Sequence, residues 1–243
     1  MINKIYLVIL TLLINLVDNY NKKKIVIFFK KKFKTKKIVI FDIGSHKGET
    51  LNLFKKNFNL KKIFCFEPNP LMFKKLSILK KKKNYRNNTI LLNCGVADKE
   101  GKEKLTIFND TSSSTMNKIN INTNYFKRKK KIISFFTNKF VKKKITVKIT
   151  TLNKIFKKYK LNKLDLLKID TEGFEYKILS SLNKKFFKKI SYIYFEHHYD
   201  LMIMKNYKFE DINKLLLKNK FKLSAKFKMP FRKTFEYIYE KKK

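Results

Sequence analysis

The chain of 243 residues holds only five glycines, and all of them lie in short turn motifs. A composition rich in Lys, Asn, Ile and Phe would be expected to replace glycine wherever another residue serves. Glycine persists where the backbone needs a positive φ or must approach a ligand closely. These turns therefore constrain the fold more than any other feature. The motifs are Phe41-Asp-Ile-Gly-Ser-His-Lys-Gly48, Asn93-Cys-Gly-Val-Ala-Asp98, Lys99-Glu-Gly101 and Asp170-Thr-Glu-Gly173.

Apolar runs that precede turns alternate with segments of helical spacing. This alternation predicts an α/β fold with a mostly parallel sheet, because strands buried on both faces read as continuous apolar runs. The predicted strands are 37–43, 62–67, 89–96, 164–170 and 191–196, with two further strands at 104–108 and 145–149. The predicted helices are 49–57, 71–79, 152–159, 175–182 and 209–219. A terminal strand pair is predicted at 221–227 and 234–239.

The formal net charge of +42 comes almost entirely from lysine, because only three of the 60 Lys and Arg residues are Arg. Surfaces that bind nucleic acid usually exploit the bidentate fork of Arg. We interpret the lysines, which are spread through most segments, mainly as coding bias toward AT-rich codons. The positive field of this basic protein would still attract anionic partners. Nucleic acid and anionic membranes therefore stay open as alternative partners.

The N-terminal segment Ile5–Val17 is strongly apolar but falls short of the roughly 20 residues that a spanning helix needs. It is either a helix packed on the domain or a peripheral membrane anchor assisted by the nearby lysine clusters. We predict an apolar helix and basic linker over residues 1–33 and a catalytic domain over 34–243. Within that domain, residues 116–144 are expected to form an irregular basic insertion, a linker or a lid.

The two cysteines, Cys65 and Cys94, each lie in an apolar run that is interpreted as a buried strand. Two such cysteines do not make a disulfide framework, so we expect them to be reduced and non-catalytic. A cytoplasmic location, with membrane association through the N-terminal segment, is the expectation.

Acidic residues collect at the predicted carboxyl ends of the strands, where ligands bind in open α/β sheets. An acid that ends the strand after a glycine turn pairs with ribose hydroxyls in nucleotide-binding folds, and Glu67 fits this role. Asp42, just before the turn, would repel a pyrophosphate but suit an ammonium or sulfonium group. The pair therefore favours S-adenosylmethionine (SAM) over a dinucleotide. The other acids at strand ends are Asp98, Asp170, Glu172 and Glu196.

These motifs, in this order, resemble those of the FkbM family of SAM-dependent methyltransferases. The matching segments are 41–50, 64–70, 93–98, 151–153, 164–175 and the strand that ends at Glu196. Phe174 stands where the family often carries His, so any role of that imidazole is absent here. The resemblance implies a Rossmann-like class I methyltransferase fold, with seven strands, helices on both faces and an antiparallel terminal hairpin. The candidate SAM-binding residues are Asp42, Gly44, Gly48, Glu67, Asn69, Gly95, Val96 and Asp98.

The resemblance also implies O-methylation, with sugars of surface polysaccharides or small metabolites as acceptors. A hydroxyl acceptor needs a base, and the candidate catalytic residues are Asp170, Glu172, Glu196 and His197, with His198 beside them. His197 is preferred because neutral imidazole is available near neutral pH. A divalent ion on Asp170 and Glu172 is a less favoured alternative, and no metal ligand is assigned.

Two alternatives to glycan methylation remain. The charge suggests an RNA methyltransferase, although no appended RNA-binding pattern is present. The chain could also be a non-catalytic Rossmann-like module that binds an anionic polymer or a membrane. The retained Asp42, Glu67 and Asp170 argue against this module. The sequence leaves the oligomeric state undetermined.

Overall fold

The apolar runs form ten strands in the computed structural model, which describes residues 20–85, 87–108, 114–137, 142–229 and 233–242. Seven of them build one sheet in the order β3-β2-β1-β7-β8-β10-β9. The strands are β1 (Ile38–Ile43), β2 (Leu60–Phe66), β3 (Thr89–Leu92), β4 (Gly95–Val96), β5 (Gly101–Phe108), β6 (Lys142–Thr150), β7 (Leu164–Ile169), β8 (Ile190–His198), β9 (Phe221–Met229) and β10 (Thr234–Lys241).

The sheet is parallel except at its C-terminal edge. Strand β1 pairs in parallel with β2 and β7, and the parallel arrangement extends to β3 on one side and β8 on the other. Strand β10 runs antiparallel to both β8 and β9. The mostly parallel seven-stranded sheet and its terminal hairpin are thus confirmed.

Helices cover both faces of the sheet. Helices α1 to α3 pack on one face, where Phe29, Leu51 and Leu76 join a buried cluster with Ile40 of β1. Helices α5 to α8 pack on the other face, around Phe41 of β1. The helices are α1 (residues 20–33), α2 (Glu49–Asn57), α3 (Pro70–Lys82), α4 (Asn124–Thr137), α5 (Leu152–Lys158), α6 (Glu175–Ser180), α7 (Lys184–Phe187) and α8 (Phe209–Lys218).

The strand order reverses direction at β1. The chain first builds outward from β1 through β2 to β3, and later returns to place β7 on the other side of β1. The crevice outside the carboxyl ends of β1 and β7 is therefore the switch point at which open α/β sheets bind ligands. The glycine turn follows β1, and the Asp170–Gly173 segment follows β7, so both open onto this crevice.

Residues 20–33, expected to belong to a basic linker, instead form helix α1. Ile25, Phe29 and Phe33 are spaced by four residues, so they lie on one face of the helix. All three are buried against the sheet, and the rings of Phe29 and Phe33 stack at 5.3 Å. The apolar stripe was not recognised in the sequence, because lysines lie on both sides of its members. Residues 5–17 lie outside the described part of the chain.

The expected third strand over residues 89–96 is broken in two. Cys94 N–H donates to the Leu92 carbonyl at 2.9 Å, which turns the chain after β3. The next residues, Gly95 and Val96, pair with β6 in a separate three-stranded sheet of order β4-β6-β5. Cys94 is therefore half-buried in a turn, while Cys65 is buried in β2 as expected, and both are free thiols.

Two further boundaries differ from the sequence prediction. Strand β8 continues through His197 and His198, because β10 pairs with it as far as Thr234 opposite His198. The insertion at 116–144 contains helix α4 and the start of β6. Among the described residues, no helix is long and apolar enough to cross a membrane.

Candidate active site at the carboxyl ends of the strands

The turn after β1 is tied to the ends of both neighbouring strands. Gly44 adopts a φ of 84°, and its N–H and that of Ser45 each donate to the Phe66 carbonyl of β2 at 3.0 Å. A Cβ atom on Gly44 would lie 1.8 Å from the Asp170 carbonyl oxygen after β7. Gly48, with a φ of 99°, begins α2, and a Cβ there would meet Leu79 at 2.5 Å. Both positions require glycine.

Glu67 follows β2 and is held by backbone donors. Its Oε2 accepts from His46 N–H at 2.7 Å, and its Oε1 accepts from Asn69 N–H at 2.8 Å. Burial raises the pKa of Glu67 to about 7, against these hydrogen bonds. A carboxylate has about four acceptor sites, so two remain for hydroxyl donors of a ligand. Asn69 in turn caps α3 by accepting from Leu71 N–H at 3.0 Å.

Asp42 lies within β1 and faces Lys168 of β7, its register partner. The Nζ of Lys168 lies 3.2 Å from Asp42 Oδ1 and 3.2 Å from Asp170 Oδ2. Burial raises the pKa of Asp42, and the charge of Lys168 opposes that rise. Among the described residues, neither carboxylate oxygen of Asp42 accepts a well-formed hydrogen bond. Beyond its ion pair with Lys168, the buried Asp42 therefore retains acceptor capacity that no described residue fills.

His198, at the end of β8, lies among three carboxylates. Its Nε2 is 3.3 Å from Glu172 Oε2 and 3.7 Å from Glu196 Oε1, and its Nδ1 is 3.4 Å from Asp200 Oδ2. Burial acts to lower the pKa of His198, but these negative charges outweigh it and raise the pKa to about 10. His198 is therefore an imidazolium at neutral pH.

Two glutamates of adjacent strands lie near the ion triplet around Lys168, within electrostatic range of Asp170. Glu196 of β8 pairs in register with Glu236 of β10. Burial and the negative charge of Asp170 raise the pKa of Glu196 well above its usual value. Burial also raises the pKa of Glu236 to about 7, and Glu236 Oε1 accepts from the hydroxyl of Tyr194. These carboxyl groups bind protons more readily than ordinary glutamates.

The segment that carries Asp170 and Glu172 is fixed by Glu175 at the start of α6. One oxygen of Glu175 accepts from the Thr171 hydroxyl at 2.9 Å and from Gly173 N–H at 3.1 Å, and the other accepts from Tyr207. Glu172 itself adopts a φ of 53°. This left-handed conformation costs energy in a residue with a side chain, and Glu175 compensates by binding the segment on both sides.

Two chain segments cross over this loop. The Thr115 hydroxyl donates to the Glu172 carbonyl at 2.7 Å, and Ile119 forms an isolated bridge with Ile203. A Cβ on Gly173 would lie 2.5 Å from the Asn117 amide nitrogen. The insertion and the segment after β8 therefore cover the loop that carries Asp170 and Glu172.

Of the two histidines, the structure brings His198, and not His197, to the acids. Successive residues of a strand point to opposite faces, so His197 turns away from Glu196 and His198. Its ring lies 4.8 Å from that of Tyr199 and 5.8 Å from those of Tyr207 and Phe209. Burial, with nearby positive charges, lowers the pKa of His197 to about 3. The preference for His197 as the base thus loses its geometric basis.

The remaining candidates follow β3. Gly95 and Val96 are buried in β4, and Asp98 is exposed after it. Asn93, in the intervening turn, donates to the Glu67 carbonyl at 2.8 Å, which links this region to the end of β2. Gly95 and Val96 therefore follow a turn that is tied to Glu67, and contacts of Gly95, Val96 and Asp98 with SAM stay predictions.

Sequence reasoning missed four residues of the site. Lys168 was a single cation inside an otherwise apolar strand, and that isolation was a usable signal. Asp200, Glu236 and Lys205 had no such signal, because only the fold brings them together; the Nζ of Lys205 donates to the His198 carbonyl. Among the described residues, no group of His, Cys, Asp and Glu is arranged to hold a metal ion.

The site fits SAM in charge and in hydrogen-bonding capacity. Six carboxyl groups gather around Lys168, His198 and Lys205, namely Asp42, Asp170, Glu172, Glu196, Asp200 and Glu236. This excess of acid suits a ligand with a sulfonium and an ammonium group. On the other side of the turn, Glu67 offers acceptors to a ribose, while the tight backbone at Gly44 keeps side chains out of the crevice.

The sequence matches the Methyltransferase FkbM domain over residues 42–223, well over half of the chain. No curated protein matches it. The structure of methyltransferase FkbM from Methylobacillus flagellatus superposes with a TM-score of 0.53 at 12% identity, covering 84% of this chain and 44% of that chain. The present chain thus spans less than half the length of that relative.

Two further structures share the fold. Magnesium protoporphyrin IX methyltransferase (ChlM) from Synechocystis, with bound S-adenosylhomocysteine (SAH), gives a TM-score of 0.52 at 8% identity and covers 94% of this chain and 85% of that one. TrmK from M. capricolum, in complex with SAH, gives 0.52 at 10% identity and covers 92% and 69%. At these identities the likeness shows the fold alone. The family match, together with this fold, shows that the chain belongs to the FkbM methyltransferase family and is a SAM-dependent methyltransferase.

Proposed function

We propose that this methyltransferase O-methylates a hydroxyl group of a sugar, in a surface glycan or a related metabolite. The observation that carries the proposal is the acid–base group of Glu196, Glu172 and His198 beside the SAM crevice. SAM, when bound, supplies a methyl group on a positively charged sulfur, which a nucleophilic oxygen can displace. The protein must then hold the acceptor in line and remove its proton.

Glu196 is the proposed general base. Its raised pKa makes it a strong proton acceptor once it is ionised, and the positive charge of bound SAM would favour the ionised form. The acceptor hydroxyl transfers its proton to Glu196 as its oxygen bonds to the methyl carbon. The imidazolium of His198 is held by Glu172 and Asp200. It positions Glu196, whose Oε1 lies 3.7 Å from His198 Nε2. Asp170 keeps Lys168 in place at 3.2 Å.

A sugar suits the acceptor side better than a nucleic acid. Carboxylates accept hydrogen bonds from several hydroxyl groups at once, as a sugar ring presents them. The same carboxylates would repel a phosphodiester, whatever attraction the net charge of +42 exerts at long range. A non-catalytic module gains nothing from a buried ion network, which typically costs stability.

Transfer of a labelled methyl group from SAM tests the proposal. The full chain is incubated with labelled SAM and, in separate reactions, with purified glycans, nucleotide sugars and total RNA. We expect label in a carbohydrate acceptor, as an ether that survives mild base. Label on RNA alone would replace the proposal with RNA methylation. SAM binding without transfer to either class would leave the family assignment intact and refute the acceptor.

A further inference from the structure

One edge of the molecule combines exposed apolar side chains with lysines directly beside the acidic site. Four apolar side chains there are 42 to 78% exposed, and Leu201 is the most exposed of them. Five lysines on neighbouring segments are also exposed. We call these nine residues the rim. They are Ile121, Tyr199, Leu201, Met204, Lys22, Lys23, Lys24, Lys228 and Lys233.

The apolar part of the rim belongs to the two segments that cover the loop after β7. Ile119 bridges Ile203, and Met204 N–H donates to the Lys118 carbonyl at 2.9 Å. Ile121 and Leu201 therefore lie at the same end of this short antiparallel pair. Leu201 follows Asp200, whose carboxylate is 3.4 Å from His198. The exposed apolar side chains thus lie within a few residues of the proposed acid–base group.

The basic part of the rim is joined to the same place through the terminal hairpin. Tyr199 N–H donates to the Lys233 carbonyl at 2.6 Å, at the start of β10. On the other arm of the hairpin, the Lys228 carbonyl accepts from the side chain of Asn21 at 3.0 Å. Helix α1 therefore begins at this edge, with Lys22, Lys23 and Lys24 in its first turn.

We propose that the rim docks on an anionic lipid bilayer and presents the active site to an acceptor carried by that membrane. A surface of lysines around exposed Leu, Met, Tyr and Ile side chains has the composition of interfacial binding sites. The lysines match the negative charge of anionic headgroups. The membrane-borne acceptor rests on the proposed function, whereas bilayer binding does not.

The bilayer is favoured over other occupants by charge and by connectivity. A second copy of a chain with a net charge of +42 would be repelled, and a nucleic acid acceptor would have to bring its backbone phosphates into the site, against the carboxylates behind the rim. The 19 residues before α1 join the chain at this same edge, and they include the apolar Ile5–Val17.

Sedimentation of the full-length protein with vesicles tests the docking. The vesicles contain phosphatidylcholine alone or with 30 mol% phosphatidylglycerol. One rim variant carries Lys23→Glu, Lys24→Glu and Lys228→Glu. Its control carries Lys184→Glu, Lys185→Glu and Lys188→Glu, in and just after α7, which precedes the start of β8. A second rim variant carries Leu201→Ser and Met204→Ser. Its control carries Leu217→Ser and Leu223→Ser, at two leucines whose exposed fractions are close to that of Met204.

We expect binding to the anionic vesicles only, at least about tenfold weaker for the rim lysine variant than for its control. The rim apolar variant should also bind more weakly than its control, while SAM affinity stays within about twofold in all four proteins. Equal loss in rim and control variants would reduce the effect to net charge and overturn the rim. Binding that both rim variants retain, equal binding to neutral vesicles, or no binding at all would also overturn it. Because SAM affinity is measured on the same samples, failure of the rim is distinguishable from failure of the enzyme.

Discussion

The two halves of the active site are built from different materials. On the proposed SAM side, backbone groups position the site: Gly44 sets the turn, and two backbone N–H groups donate to Glu67. On the proposed acceptor side, charged side chains of β7 and β8, with Asp170 just after β7 and Glu236 of β10 nearby, interact with one another. We call the half around Gly44 and Glu67 the backbone-built half, and the half around Lys168, Glu196 and His198 the charge-built half. The backbone-built half tolerates side-chain changes away from its turn, whereas the charge-built half depends on every member of its network.

The largest expected effect is on the acceptor side. Glu196→Gln should lower turnover roughly 10²–10⁴-fold, because it removes the general base, while SAM affinity changes little. Activity of the parent protein should rise with pH as Glu196 loses its proton and then level off, and the variant should lose this rise. Steady-state rates between pH 5.5 and 9.5 measure both effects.

The matched control for that variant is Glu100→Gln, which changes an exposed glutamate paired with Lys154. It should leave turnover unaltered. If Glu196→Gln retains both turnover and the pH profile, the base lies elsewhere. In that case His198→Asn and His197→Asn should be compared, since only His198 touches the acidic group.

The contrast between the halves also explains what the sequence could predict. The fold, the glycine turn and the position of Glu67 could be predicted from the sequence, because turns need particular residues at particular positions. Lys168, Asp200 and Glu236 were not identified, since strands distant in sequence bring them together. The distinction between His197 and His198 required the exact end of β8, which a local pattern does not supply.

The next largest effect is on stability. Lys168→Met should lower the free energy of unfolding by about 3–5 kcal/mol, because it leaves the buried Asp42 and the partly exposed Asp170 without their shared cation. Lys163→Met, directly before the same strand β7, is the control. Lys163 is exposed, and Asp165 keeps its ion pair with Lys36 at 2.6 Å, so the cost should stay below about 1 kcal/mol. Urea unfolding of both variants measures the difference, and equal costs would show that the triplet is not a structural unit.

A smaller effect is expected within the SAM side. Gly44→Ala should cost on the order of 3 kcal/mol of stability, since it adds a clash with the Asp170 carbonyl to the strain of a positive φ. Gly101→Ala, at a φ of 131° with open space around its Cβ, should show the strain alone and therefore a smaller loss. Thermal unfolding of the two variants compares them. A larger loss in Gly101→Ala would contradict the close approach of β1 and β7.

The most direct test of the division into two halves is titration calorimetry of SAM at pH 8, above the pKa of Glu67. The intact protein should bind SAM in the micromolar range. Glu67→Ala should weaken binding by about 1–3 kcal/mol through lost hydrogen bonds to a charged acceptor, while Glu196→Gln should weaken it less than Glu67→Ala does. Equal affinity in Glu67→Ala and the intact protein, or a loss confined to Glu196→Gln, would contradict the assignment of SAM to the backbone-built half.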